Sequence, residues 1–199
     1  MHERKYDNLL GIKTIGKREW RGQAVHYSRY EATPYEALDR LFETYKIKKT
    51  DRVVDFGCGR GRVAFYIHNR FHVPVTGIEV HDITYDEALY NKMRYKKRAR
   101  HIEAPIRFEY GLAEHYEVKP KDNIFYFFNP FSIKIFREVV GNILGSVWEH
   151  SRTVDIILYY PMPKYKKFLK HETPFELIDK VRIPGVSDKN DKFLIYRLV

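Results

Sequence analysis

The chain has 199 residues, 44% hydrophobic and 31% charged, a globular composition long enough to bury one core without a metal or disulfide staple. Cys58 is the one cysteine, which excludes an internal disulfide and a cysteine-rich zinc site. The formal net charge of +10 suits a polyanionic partner, while the apolar runs at 124–128 and 156–160 are too short to span a bilayer.

Nothing here reads as a secretion signal, so a cytoplasmic location fits. No linker, repeat or low-complexity tract divides the chain. One domain over 1–199 is expected, with 1–50 as a helical segment that precedes the sheet and can act as a lid.

Residues 34–45 predict a helix: Thr33 can cap it, Pro34 suits its first turn, and Leu38, Leu41, Phe42 and Tyr45 form an apolar stripe. A strand at 52–56 leads through a glycine-rich turn into a helix at 62–69, followed by a strand at 73–80, a charged helix at 82–101 and a strand at 105–110. The apolar run 123–128 suits a strand buried on both faces, 132–148 has helical periodicity, and 154–160 is a further buried strand. Beyond Pro161, 175–183 and 192–199 read as strands joined by the turn-rich 184–190. The expected fold is α/β: a doubly wound, mainly parallel seven-stranded sheet with helices on both faces and a C-terminal antiparallel strand pair. Its functional residues should lie in the loops after strands one to four.

Within the charged helix, Lys92, Arg94, Lys96, Lys97, Arg98 and Arg100 form a basic run. It is either a nucleic-acid surface or a solvated face opposite a buried stripe of Tyr85, Leu89 and Met93.

The turn after the first strand reads Asp55-Phe56-Gly57-Cys58-Gly59-Arg60-Gly61-Arg62. Glycines at 57, 59 and 61 let the backbone turn sharply and let a ligand approach its amides. Arg62 stands where a dinucleotide loop has its third glycine, and no Gly-Lys-Ser or Gly-Lys-Thr follows, so NAD, FAD and a P-loop are disfavoured. Glu79 ends the second strand, 24 residues after Asp55, where a carboxylate can accept ribose hydroxyls, or else serve as a cap or surface charge.

With Asp55 two residues ahead of the first glycine, this segment resembles motif I of the class I S-adenosylmethionine (SAM)-dependent methyltransferases, and Glu79 is in register with it. The resemblance covers 30–160. It implies SAM as cofactor, held by Asp55, Gly57, Cys58, Gly59, Gly61 and Glu79, with Leu112, Ala113 and Glu114 bordering the adenine. Leu112 departs from the acidic residue many members carry there; Glu114 can compensate, or Leu112 can pack on the ring. Cys58 supplies a small side chain for packing, and no adjacent base is evident to activate it. Tyr30 to Tyr35 resembles a Tyr/Thr-Pro segment that closes over the cofactor in some related enzymes, so Tyr30 and Thr33 join the candidate set; helix capping and packing are their alternative roles.

Asn129-Pro130-Phe131 follows the fourth strand, where this family presents catalytic groups. The Asn129 oxygen can accept amine hydrogens and aim the nitrogen lone pair, and Phe131 can stack on a planar base. The segment resembles the Asn/Asp-Pro-Pro-aromatic motif of amino methyltransferases, with one proline missing. Alternatively, Asn-Pro only turns the chain. His68 and His72 are read as scattered surface histidines, and no metal site is expected.

The readings are methylation of an amine, with RNA as acceptor; methylation of a small molecule or protein side chain; or a non-catalytic nucleic-acid-binding protein that retains the fold.

Overall fold

Alternating side chains on each strand feed two apolar clusters, one on each face of the sheet, and this two-sided burial makes the central strands apolar throughout. The computed structural model describes residues 2–16 and 31–199. In chain order the elements are α1 (His2–Leu10), α2 (Tyr35–Thr44), β1 (Val53–Phe56), α3 (Arg62–Phe71), β2 (Val75–Glu79), α4 (Asp82–Arg98) and β3 (Ile106–Tyr110). They continue with a short 3-10 helix (Ala113–His115), β4 (Ile124–Phe127), α5 (Ile133–Glu149), β5 (Val154–Tyr159), α6 (Pro163–Glu172), β6 (Glu176–Arg182) and β7 (Lys192–Leu198).

The sheet order is β3-β2-β1-β4-β5-β7-β6. The first five strands are parallel, and β7 runs antiparallel to both β5 and β6, as the turn-rich 184–190 segment predicted. Residues of α2, α3 and α4 pack with Val53, Val75 and Tyr126 on one face; α5 packs with Val54, Phe125 and Ile156 on the other. The strand order reverses between β1 and β4, so their carboxyl ends open the crevice where such sheets bind ligands.

Three expectations change. The fully buried residues of α4 are Thr84, Ala88, Asn91 and Tyr95; of the expected stripe, Tyr85 and Leu89 pack partly buried against the same core, while Met93 is 52% exposed. Thr33 does not cap α2: its hydroxyl meets the Tyr126 hydroxyl at 2.7 Å, and the carboxylate of Glu3, from α1, accepts the Tyr35 amide at the helix start. His68 is 2% exposed rather than at the surface, its ring nitrogens 2.8 Å from the Tyr95 hydroxyl and 2.8 Å from the Ala104 carbonyl. Helix α6 has no counterpart among the predicted elements.

Candidate active site

The β1–α3 turn is shaped as much by protein packing as by room for a ligand. Gly57 has φ 71°, and a Cβ there would lie 2.4 Å from Cβ of Pro130. Gly61 has φ 86°, and its Cβ would lie 2.7 Å from the Phe108 ring. Both positions require glycine for backbone hand and for space. Cys58 fills the gap over Gly77, where an added Cβ would meet its Sγ at 2.7 Å; burial pushes its thiol pKa up, keeping it neutral.

Glu79 is buried and ties the loop to the end of β2. It accepts the Gly59 amide at 2.9 Å, the Val80 amide at 2.9 Å and the His81 amide at 2.8 Å. A carboxylate has about four lone-pair sites, so roughly one remains for a ligand hydroxyl. Burial raises its pKa against the opposing pull of those amides. Asp55 is 3% exposed, and its Oδ2 has no hydrogen-bond partner among the described residues. Its pKa is pushed up to about 8, chiefly by burial and then by the Glu79 charge.

Asp55, Gly57, Cys58, Arg62, Thr33 and Phe128 line a recess at this turn. Arg62 opens α3 with a guanidinium held by Glu3, by the Thr14 hydroxyl at 2.7 Å and by the Thr33 carbonyl at 3.2 Å. Sequence reasoning used Arg62 only to disfavour a dinucleotide loop and missed its place in the recess. Tyr30 lies outside the described residues. Leu112 is 37% exposed, Ala113 is buried and Glu114 half-buried, in and beside the 3-10 helix after β3.

A cavity of about 440 Å³ adjoins the recess, sharing Glu31, Ala32 and Phe128 with it and adding Asn129, Tyr159, Tyr160 and Asp191. Asn129 (φ 44°) and Tyr160 (φ 48°) face each other beyond the ends of β4 and β5 in the left-handed region, where a tyrosine is strained. Asn129 Nδ2 donates to the Tyr160 carbonyl at 2.6 Å, which fixes the amide and identifies Oδ1 as its acceptor. The Tyr159 hydroxyl donates to Asp191 at 2.6 Å and the Tyr160 hydroxyl to Asp188 at 2.5 Å.

The structure separates the Asn-Pro-Phe triplet. Only Asn129 reaches the cavity. Pro130 packs on Gly57, and Phe131 is 2% exposed, its ring edge-on to Phe127 and its carbonyl accepting the Tyr165 hydroxyl at 2.5 Å. The aromatic faces on the cavity are Phe128, Tyr159 and Tyr160 instead. Extending the strand-end rule to β5 would have found the two tyrosines; Asp191, in the turn before β7, carried no local signal.

The reversal between β1 and β4, the glycine turn and the β7 insertion together define the fold of class I SAM-dependent methyltransferases. No family model matches the sequence. A 68-residue stretch is 36% identical to a protein-lysine N-methyltransferase of Saccharolobus islandicus (strain REY15A). That match covers 34% of this chain and 42% of the relative, so less than half of the relative's length is spanned. An RNA methyltransferase from Salinibacter ruber, solved with S-adenosyl-L-homocysteine (SAH), has a TM-score of 0.54 at 16% identity over 84% of this chain and 92% of that one. Aeropyrum pernix fibrillarin, solved with natively bound SAM, has a TM-score of 0.57 at 16% identity over 96% of this chain and 86% of that one. Among the described residues no His, Cys, Asp and Glu cluster suits a metal, and no helix is long and apolar enough to cross a membrane.

Proposed function

We propose that the protein is a SAM-dependent methyltransferase acting on an amine nitrogen, with an exocyclic amine of an RNA base as acceptor. The observation that carries this reading is the pair of left-handed residues, Asn129 and Tyr160, locked together over a cavity beside the glycine turn. A tyrosine in this region persists only where its surroundings hold it, and such residues cluster at functional sites.

Asp55, Gly57, Cys58, Gly59, Gly61 and Glu79 would hold SAM, with Arg62 beside them and Leu112, Ala113 and Glu114 at the adenine. The unpartnered Asp55 Oδ2 fits a cationic or hydrogen-bonding group, and the remaining Glu79 acceptor site fits a hydroxyl. When bound, SAM supplies a methyl on a sulfonium, an electrophile that a lone pair must approach in line.

The chain aligns that lone pair. Asn129 Oδ1 and the second lone pair of the Tyr160 carbonyl can accept the two hydrogens of an amine and leave its lone pair directed away from both. Phe128 walls the cavity, and the carboxylates of Glu31 and Asp191 would favour the positive charge that methyl transfer leaves on the nitrogen until its proton passes to solvent water. Thr33, fastened to Tyr126, anchors the 31–34 segment at the wall of the recess and the cavity, where it would serve as the lid.

A second acceptor, a protein lysine side chain, is favoured by those carboxylates and by the lysine methyltransferase match.

Calorimetric titration with SAM and SAH, with NAD as control, tests the cofactor reading. Saturable binding of the first two supports it; no binding by folded protein favours the non-catalytic alternative. Transfer of labelled methyl into extract fractions, each treated with ribonuclease or protease, then separates RNA from protein acceptors.

A further inference from the structure

The basic run of α4 is not the cationic surface nearest the acceptor cavity. That helix packs at the β3 end of the sheet, and Arg98 is spent on the carbonyls of Asn8 and Leu9 at the end of α1. At the opposite end, the β6–β7 hairpin carries a cleft of about 470 Å³ lined by Lys180, Arg182, Lys189 and Lys192. Asp191 lines both this cleft and the acceptor cavity, so the two are neighbours on either side of it.

The cleft's charge is unbalanced. Its four cations outnumber its two carboxylates, Asp188 and Asp191. Asp188 accepts from the Tyr160 hydroxyl and the Asn190 amide, Asp191 accepts from the Tyr159 hydroxyl, and Asp188 offsets part of the Lys192 charge. No ion pair joins any of the four cations to a described residue; Lys192 Nζ donates to the Lys189 carbonyl at 2.5 Å. Lys192 is half-buried, and its pKa is lowered first by that burial and then by Lys180, Lys166 and Arg182, against a smaller opposing pull from Asp188, so like charges are held close. Lys180 and Arg182 flank the buried Val181 on β6, putting both on its solvent face about two strand rises, roughly 7 Å, apart.

We propose that this cleft binds the phosphate backbone of single-stranded RNA and delivers the adjoining nucleotide to the acceptor cavity. A cationic groove beside exposed aromatic faces is the combination that holds single strands: the groove tracks phosphates and the rings stack bases. Here the rings are Tyr160, 37% exposed, and the half-buried Phe128 on the cavity wall. An acidic peptide would satisfy the lysines but give those rings no planar partner. The assignment rests on the reading of the cavity as an acceptor site.

The test is fluorescence anisotropy of a labelled, unstructured RNA of about ten nucleotides, within the usual single-strand site size, against the full chain with SAH present. Wild type should bind with an affinity that falls steeply with salt. The Lys180→Glu/Arg182→Glu variant should bind at least about tenfold more weakly, with a salt slope shallower by about 0.7 for each phosphate it no longer neutralises. Its melting temperature and SAH affinity should match wild type. Lys96→Glu/Lys97→Glu on α4 should leave RNA binding unchanged. The proposal is overturned if the hairpin variant binds RNA like wild type, if the α4 variant is the one that loses it, or if polyglutamate competes as well as RNA, which would indicate an acidic protein partner. SAH calorimetry on the same samples keeps the two readings apart. SAH binding with hairpin-insensitive RNA binding sinks only the cleft; hairpin-sensitive RNA binding without SAH binding sinks the methyltransferase.

Discussion

The two halves of the sheet assemble their chemistry differently. In β1–β3 the turn from Asp55 to Arg62 and the strand-end Glu79 lie within one strand-helix-strand unit, and three backbone amides bind the carboxylate to its surroundings. In β4–β7 the cavity draws on Glu31, Phe128 and Asn129, Tyr159 and Tyr160, and Asp191, four separate stretches of chain. A cofactor site built locally leaves a compact motif. A site built from strand ends and a hairpin turn leaves isolated residues whose meaning depends on the fold.

The contact of Gly57 with Pro130 joins the halves, so Gly57→Val should have the largest effect. The left-handed backbone costs a branched residue about 1–2 kcal/mol and overpacking adds about 1–3 kcal/mol. We expect a lower melting temperature and SAM binding weakened by about a hundredfold or more, read by thermal unfolding and calorimetry; wild-type values for both would show that the halves are uncoupled.

Asp55→Asn comes next. The wild-type carboxyl is raised from 3.8 to about 8, so a cationic ligand must draw a proton off it below that range, and SAM affinity should rise as pH climbs through about 8. The same shift means that this carboxyl's contribution to stability is fully present below 3.8 and is lost as pH rises through about 8. The Asn variant should bind SAM about tenfold more weakly at high pH and lose the slope; an unchanged pH profile would remove Asp55 from the site.

Asn129→Ala should confine its effect to the acceptor half, lowering turnover by about 10²-fold with SAM affinity unchanged. Equal losses in both would mean that Asn129 only shapes the chain. Smallest is Tyr159→Phe, which releases Asp191 and forfeits a hydrogen bond worth about 0.5–1.5 kcal/mol. It should raise KM for the acceptor by about two- to tenfold and leave SAM binding alone; a change in SAM binding would blur the division.

Apolar runs and alternation revealed all seven strands, and apolar residues three and four apart revealed α2 to α5, because those signals lie within each element. Helix α6 escaped although Tyr165, Phe168 and Leu169 stand at helical spacing, because those three are the buried residues of a ten-residue helix whose exterior is largely basic. Phe131 was read as substrate-facing because its core neighbours Phe127 and Tyr165 lie on other elements. The Glu3 cap on α2 could not be read at all, since it crosses from another helix.

That cap belongs to a wider clasp: Glu3 also holds Arg62 at the start of α3, Asn91 holds the Lys13 backbone, and Asp7 holds Thr14. Helix α1 is thus wired to the rim of the glycine turn, and Leu9 on it is 65% exposed. A fluorophore carried at Leu9 would serve as an optical gauge of the loop, so that filling of the recess could be timed from the outside of the molecule, with no labelled ligand and no turnover.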